Sequence, residues 1–247
     1  MACAGTRGSA CGRGGKQQAC RGKGRESARD RSSVFDVGCG AAKMMVQNSM
    51  TKAIEASFDP VHHAQVCFRG ILRAFSNPGE IVAVPPISHA VRPMCQSMLS
   101  AALCLLDGEV SAWLDPSFMT KDVEEFLRLR TGVSVSSHPR DVDFALIGNA
   151  SNMPDLQQFR AGTLLEPNRS ATLLIQLPSL VGGVPILLCG PGIKTTISVS
   201  PAGLPSWFWS TWEVNATCFP AGVDVLLVDG ENIVGLPRSV RRSSPCS

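Results

Sequence analysis

Two arginines spaced for one face of a helix are the first candidates for anion binding. Phe68, Ile71, Leu72 and Phe75 have the spacing of the apolar stripe of a helix. Arg69 and Arg73 lie four residues apart on the flank of this stripe, so their side chains point the same way. The sequence Ser76-Asn77-Pro78-Gly79 follows, and it predicts the end of that helix because proline restricts its predecessor and glycine accepts positive φ. Parallel guanidinium groups beside a fixed turn that includes Ser76 could hold an anion. The alternative is two solvated arginines on an amphipathic helix.

A glycine-rich turn is the second candidate. Gly190, Gly192 and Lys194 lie in Gly-Pro-Gly-Ile-Lys-Thr-Thr, which follows a predicted strand. The backbone N–H groups of such a turn could hold a phosphate. The sequence does not match the G-x-x-x-x-G-K-[ST] phosphate loop, and the alternative is a turn whose glycines serve only the backbone angles.

An acidic residue at the start of an apolar strand is the third candidate. Asp224 precedes Val-Leu-Leu-Val, and Arg238 lies a short distance downstream. Asp224 could orient a substrate or pair with Arg238, and we favour a structural ion pair.

Other chemistries find little support. The adjacent His62 and His63 diverge by about 100° on a helix, and no H-E-x-x-H pattern exists, so we expect no metal site. The sequence has no tyrosine, and Lys194 is the one plausible Schiff-base lysine. A pyridoxal phosphate site also needs a carboxylate for the ring nitrogen and a phosphate cup, which we cannot assemble, so we expect no cofactor.

Charge and hydropathy narrow the function further. Residues 1–50 hold nine Lys or Arg and three Asp or Glu, whereas the rest of the 247-residue chain holds 14 and 17. Because the net charge of the residues after 50 is close to zero, we do not expect nucleic acid to be the main partner. No run of 18 apolar residues exists, which argues against a membrane span. The ten cysteines include no C-x-x-C pair, and scattered reduced thiols are typical of a cytoplasmic protein.

The first 49 residues differ from the rest. They are rich in Gly, Arg and Ser and cannot bury enough apolar surface to offset their ordering entropy. Met44, Met45 and Met50 are all possible starts. We therefore interpret residues 1–49 as a disordered extension or as mistranslated upstream sequence, and residues 50–247 as one domain.

Helices and strands alternate through most of this domain. Periodicity predicts helices at 66–75, 94–106, 121–130 and 206–216, and a short helix at 154–159. It predicts strands at 81–84, 110–114, 144–147, 223–228 and 233–236, with 172–177 and 184–189 forming a hairpin. This order predicts a three-layer α/β fold with a mixed sheet.

Several short motifs in a fixed order resemble those of the PhnH family, a subunit of the bacterial carbon–phosphorus lyase core complex. The resemblance covers about Met50 to Arg241. The motifs are Phe-Arg-x-x-Leu-x-Ala-x-Ser-x-Pro-Gly from Phe68, Leu105-Leu106-Asp107, Trp113-Leu114, Phe126-Leu127-Arg128 with Thr131, Gly162-Thr163, Pro167-x-Arg169-Ser170-Ala171-Thr172, Gly190-Pro191-Gly192-Ile193, Phe219-Pro220-x-Gly222-Val223-Asp224 and Leu236-Pro237-Arg238.

The resemblance implies a fold similar to the pyridoxal-phosphate-dependent transferases, without their cofactor. It implies an accessory subunit that supports formation of ribose 1-phosphonate 5-triphosphate from ATP and an alkylphosphonate. It further implies the other core subunits as partners, a homodimer, and a phosphonate or ribose-phosphate ligand. The bond-breaking radical subunit is a different protein, because this chain lacks the close cysteine triplet that such chemistry requires.

The chain departs from the family at Arg130, where the family usually has histidine. The change keeps a hydrogen-bond donor but removes a group that titrates near neutral pH. The alternative function is a free-standing α/β transferase that acts on a phosphorylated substrate.

Overall fold

The computed structural model describes residues 59–87 and 89–243, so the predicted extension at residues 1–49 lies outside them. Within the described ranges there are four α-helices and ten strands. The helices are α1 (Pro60–Ser76), α2 (Gln96–Leu105), α3 (Lys121–Thr131) and α4 (Phe208–Thr217). The strands are β1 (Val82–Ala83), β2 (Ser111–Leu114), β3 (Ser134–Ser136), β4 (Phe144–Ile147), β5 (Thr172–Gln176), β6 (Ile186–Cys189), β7 (Ile197–Val199), β8 (Asp224–Asp229), β9 (Asn232–Leu236) and β10 (Arg241–Arg242).

The larger of two sheets has seven strands in the order β1-β9-β8-β5-β4-β2-β3. The neighbours from β3 to β8 all pair in parallel, whereas β9 runs antiparallel to both β8 and β1. The smaller sheet has the order β10-β6-β7 and is antiparallel. The predicted α/β class with a mixed sheet is therefore confirmed.

Both faces of the larger sheet are buried in apolar clusters. Alternate strand residues, such as Leu146 and Leu174, join a cluster with α1, α2 and α3. Their neighbours Ile147 and Leu173 join a second cluster with Phe208 and Trp212 of α4 and residues of the smaller sheet. Burial on both faces explains why the central strands read as continuous apolar runs. No helix in the described ranges is both long and apolar enough to cross a bilayer.

Local sequence fixes the ends of α3. The Thr120 side chain accepts a hydrogen bond from the Val123 N–H at 3.3 Å and caps the first turn. Gly132 follows the last turn with φ 76°, a conformation that favours glycine. The helix predicted at 121–130 is thus observed within one residue of its predicted limits, because such end signals are local.

Helix α1 presents a different face to the core than its periodicity predicts. Cys67, Ile71 and Ala74 are buried, whereas Phe68 and Leu72 are 47% and 50% exposed. The expectation that Phe68 and Leu72 belong to a core-facing stripe is therefore wrong.

Small residues explain this orientation. A Cβ on Gly235 of β9 would lie 2.5 Å from the carbonyl oxygen of Ala74, so the helix backbone touches the strand. A Cβ on Gly70 would lie 3.4 Å from Cγ1 of Val84. Because these two glycines let α1 approach the sheet closely, the side of the helix that carries its smaller residues faces the sheet, and Phe68 remains exposed to solvent.

The predicted hairpin between residues 172–177 and 184–189 is also wrong. β5 lies between β4 and β8 in the larger sheet, whereas β6 belongs to the smaller sheet. The segment between them packs elsewhere: a Cβ on Gly183 would lie 2.2 Å from the carbonyl oxygen of Pro201. Gly183 thus allows close contact with the segment after β7 and does not form a two-strand turn.

Candidate functional site

The two arginines of α1 have different surroundings. Arg73 forms an ion pair with Glu80, which follows the turn at the end of the helix. Arg69 is exposed, and no carboxylate of the described ranges forms an ion pair with it. Arg73 is thus tied to its own chain, whereas Arg69 remains available to an external anion.

The Gly190–Gly192 turn lies against the end of α1. A Cβ on Gly192 would lie 2.4 Å from the carbonyl oxygen of Ser76 and 2.7 Å from Cδ of Pro78. Gly192 also has φ 85°, and Gly190 has φ 143°. The structure therefore brings two of the predicted anion-binding elements together, and their contact by itself requires glycine. Lys194 is exposed just beyond the turn.

Asp224 and Arg238 form an ion pair, as the sequence predicts. Arg238 Nε lies 3.1 and 3.2 Å from the two carboxylate oxygens, and the Arg238 N–H donates to the same carboxylate at 2.8 Å. The side chains are 14% exposed for Arg238 and 22% for Asp224.

The remaining donors of Arg238 bind neighbouring segments. Nη1 lies 2.9 Å from the carbonyl oxygen of Pro167 and 3.3 Å from that of Pro220. Nη2 donates to Asp224 and to the hydroxyl of Ser170. Because these contacts use all five guanidinium N–H groups, Arg238 has none left for a ligand, and its role is structural.

This cluster joins three of the family-like motifs. Pro167 and Ser170, Pro220 and Asp224, and Arg238 come from three separate parts of the chain and meet around one guanidinium group. Asp224 begins β8, so the cluster lies at the amino edge of the parallel strands. Ligands of open α/β sheets bind at the carboxyl edge, so the motif positions that meet here serve the fold.

The carboxyl edge has a contact that sequence reasoning missed. Asp115 follows β2 and is 2% exposed. Its carboxylate accepts hydrogen bonds from the Asn149 N–H at 2.9 Å, the Phe118 N–H at 3.1 Å and the Ser117 hydroxyl at 2.6 Å. These bonds fill the space between the ends of β2 and β4, where the strand order reverses. The place where such folds commonly bind ligands is thus occupied by the chain itself.

The ion pair between Asp143 and Arg160 was also not predicted from the sequence. Partial burial raises the pKa of Asp143, but hydrogen bonds from the Ser111 N–H and hydroxyl, at 2.9 and 2.8 Å, and the Arg160 guanidinium together hold that pKa below its ordinary value. Because the folded pKa is lowered, this contribution to stability is present near neutral pH and is lost as the pH falls through the folded value.

A cavity of about 220 Å³ opens between α1, α2, α3 and the segment after β1. Ala64, Ile87, Leu103 and Phe126 supply apolar lining. We call this space the basic cavity, because its ionisable lining residues other than a cysteine are two histidines and an arginine: His63, His89 and Arg130.

The basic groups of this cavity surround an aromatic ring. The Arg130 guanidinium lies over the Phe126 ring, 5.8 Å from its centroid, in cation–π geometry. The His89 ring lies 6.4 Å from the same ring. His63 Nε2 lies 3.0 Å from the carbonyl oxygen of Pro85, so this nitrogen donates.

Two neighbouring thiols lie at one wall of the basic cavity: Cys104 lines the cavity, and Cys67 is buried in the core. A hydrogen bond to Cys104, together with burial, raises the pKa of the Cys67 thiol. The same hydrogen bond lowers the pKa of Cys104, although partial burial opposes it. Cys104 lines the cavity and is partly exposed, whereas Cys67 is fully buried, so Cys104 is the thiol that a reagent can reach.

Local spacing does not reveal this cavity in the sequence. His63, His89 and Arg130 are more than 25 residues apart and come from three elements. The one feature of the sequence that points to this cavity is Arg130, because the family-like pattern usually has histidine, another basic residue, at this position. Within residues 59–87 and 89–243, no three His, Cys, Asp or Glu side chains are grouped so as to hold a metal ion.

Comparison with known proteins assigns the chain to a family. Residues 56–243 match the family of bacterial phosphonate metabolism proteins called PhnH. The chain is 33% identical over 183 residues to the alpha-D-ribose 1-methylphosphonate 5-triphosphate synthase subunit PhnH of Rhizobium meliloti (strain 1021). This alignment covers 74% of this chain and 92% of that protein. It is 31% identical over 176 residues to HtxG of Stutzerimonas stutzeri, described as a C-P lyase subunit, over 71% and 83% of the two chains. The chain therefore belongs to the PhnH family.

Proposed function

We propose that this chain is an accessory subunit of a carbon–phosphorus lyase complex, in which it supports formation of ribose 1-phosphonate 5-triphosphate from ATP and an alkylphosphonate. Family membership carries the proposal, because both relatives are described as subunits of phosphonate enzymes. The described residues support a non-catalytic role, since Arg238, Asp224 and Asp115 are committed to internal hydrogen bonds. We further propose a cytoplasmic location, and a three-layer arrangement similar to the pyridoxal-phosphate-dependent transferase fold.

The outward face of α1 is the surface that we assign to a partner subunit. Phe68 and Leu72 lie one helical turn apart and are about half exposed, with Arg69 beside them. A helix face that combines an apolar strip with an available guanidinium fits a partner that presents an apolar groove and a carboxylate. We therefore propose that Arg69 binds a partner carboxylate and that Arg73, held by Glu80, contributes less.

The other candidate residues form a smaller proposal. Ser76 and the turn at Gly190 and Gly192 lie in contact, and Lys194 is exposed nearby. Together with a partner subunit they would complete a site for phosphonate or ribose phosphate.

Polar substitution of the α1 strip should abolish assembly without unfolding the chain. We expect Phe68→Ser/Leu72→Ser to lose co-purification with the other complex subunits and to abolish growth on methylphosphonate as sole phosphorus source. Arg69→Ala should weaken binding by about 1.5–3 kcal/mol, the scale of a charged hydrogen bond. Pull-down and growth measure these effects, and circular dichroism checks folding.

Val66→Ser is the matched control, because Val66 is also exposed on α1 but lies about 200° around the helix from Phe68. It should co-purify normally. Normal assembly of the folded double variant would refute the α1 surface, and turnover of a phosphorylated substrate by the isolated chain would instead identify a free-standing transferase.

We also propose a homodimer. The proposal is supported by an exposed apolar turn that could contact a second copy of the chain. Leu164 and Leu165 are 75% and 94% exposed. The Glu166 N–H donates to the Thr163 hydroxyl at 3.0 Å and closes this turn. Light scattering of the isolated chain at micromolar concentration should give about twice the mass of one chain. A monomer at every usable concentration would contradict this proposal.

A further inference from the structure

We infer that the basic cavity binds a small organic anion of the alkylphosphonate class. The inference rests on the proposed function for the identity of the anion, and on the cavity for its chemistry. The alkyl group would lie against Phe126 and Leu103, and the phosphonate oxygens would face Arg130 and His89.

The charges of the cavity favour an anion. Its lining includes an arginine and two histidines, and no aspartate or glutamate. No carboxylate of the described chain forms an ion pair with Arg130. An arginine without a carboxylate partner, at the edge of a concave apolar space, is well suited to bidentate contact with phosphonate oxygens.

The walls select for an alkyl substituent. Ala64, Ile87, Leu103 and Phe126 present carbon atoms to the cavity, and burying a methyl group against such a wall strengthens binding roughly fourfold. The volume of about 220 Å³ is below the range of roughly 300–1,000 Å³ that suits drug-sized ligands. A methyl- or ethylphosphonate fits this space, whereas inorganic phosphate offers nothing to the apolar wall.

Calorimetric titration of the full-length chain with methylphosphonate tests the inference. We expect binding that strengthens from inorganic phosphate to methylphosphonate to ethylphosphonate. Arg130→Gln should weaken methylphosphonate binding roughly tenfold or more, because it removes a charged hydrogen-bond donor. Arg128→Gln is the matched control: it is exposed on the same helix, makes the same charge change and does not line the cavity, so its affinity should equal that of the unchanged protein.

Thiol labelling gives a second measurement that needs no variant. Cys104 lines the cavity, whereas Cys218 is exposed elsewhere. Saturating methylphosphonate should slow iodoacetamide labelling of Cys104 several-fold and leave labelling of Cys218 unchanged, as measured by peptide mass spectrometry.

Three results would overturn the inference: no binding of methylphosphonate at millimolar concentration, equal binding of phosphate and methylphosphonate, or undiminished binding by folded Arg130→Gln. The proposed function is tested separately. A chain that co-purifies with partner subunits but does not bind methylphosphonate refutes the ligand site alone. A chain that binds methylphosphonate but never co-purifies refutes the complex alone.

Discussion

Arg238→Ala should lower the free energy of unfolding by about 3 kcal/mol or more, because it leaves the Asp224 carboxylate mostly buried without its partner. It also removes the donors that satisfy the carbonyl oxygens of Pro167 and Pro220 and the hydroxyl of Ser170. Asp224 is 22% exposed, and the resulting partial hydration places the expected loss at the lower end of the range for buried pairs. Urea unfolding measures the effect.

The control for this substitution lies in a neighbouring loop. Arg169 pairs with Glu166 at 3.1 Å, but both side chains are more than half exposed. Arg169→Ala should therefore change stability by no more than about 0.5 kcal/mol. Arg238→Lys keeps the charge but cannot make the five-donor pattern, so it should remain clearly destabilised. A loss below about 1 kcal/mol for Arg238→Ala would show that the cluster is dispensable.

Gly235→Ala should be the second strongly destabilising change, at about 2–3 kcal/mol, the upper range for overpacking. The added Cβ would lie 2.5 Å from the Ala74 oxygen, 2.6 Å from its carbonyl carbon and 2.8 Å from the Phe75 nitrogen. These are backbone atoms, so no side-chain rotation relieves the clash and α1 must lift from β9. Thermal unfolding should show the loss, and hydrogen exchange should accelerate in α1 more than in α4.

Gly230→Ala is the matched control, because a Cβ there would meet nothing within 4 Å. It should leave stability unchanged within about 0.5 kcal/mol. Equal stability of the two variants would contradict the close packing of α1 on β9.

How far the sequence predicts this molecule depends on the distance over which each feature is encoded. The ends of α3 follow from Thr120 and Gly132, and β4 was predicted at its observed limits, because those signals are local. The orientation of α1 was missed because it depends on Gly235, more than 150 residues away. The periodicity of a helix does not show which of its sides can pack closely against a glycine elsewhere in the chain.

The candidate residues follow the same rule. The pairing of Asp224 with Arg238 could be predicted from a strand and the chain that returns beside it. The basic cavity could not be predicted, because His63, His89 and Arg130 follow no regular sequence spacing. These side chains come together only after α1 and α3 pack on α2. The ion pair of Arg73 with Glu80 was not predicted either, because Glu80 lies beyond the turn that ends the helix.

The length of α1 has a consequence for regulation. This one helix lines the basic cavity with its first turns, presents Phe68 and Leu72 outward at its middle, and meets Gly192 at its end, over about 25 Å. Ligand and partner would therefore bind the same rigid rod, and any cooperativity between them must be reciprocal. The factor by which methylphosphonate changes the affinity for partner subunits equals the factor by which assembly changes the affinity for methylphosphonate. The extent of assembly would therefore depend on the concentration of methylphosphonate in the cell.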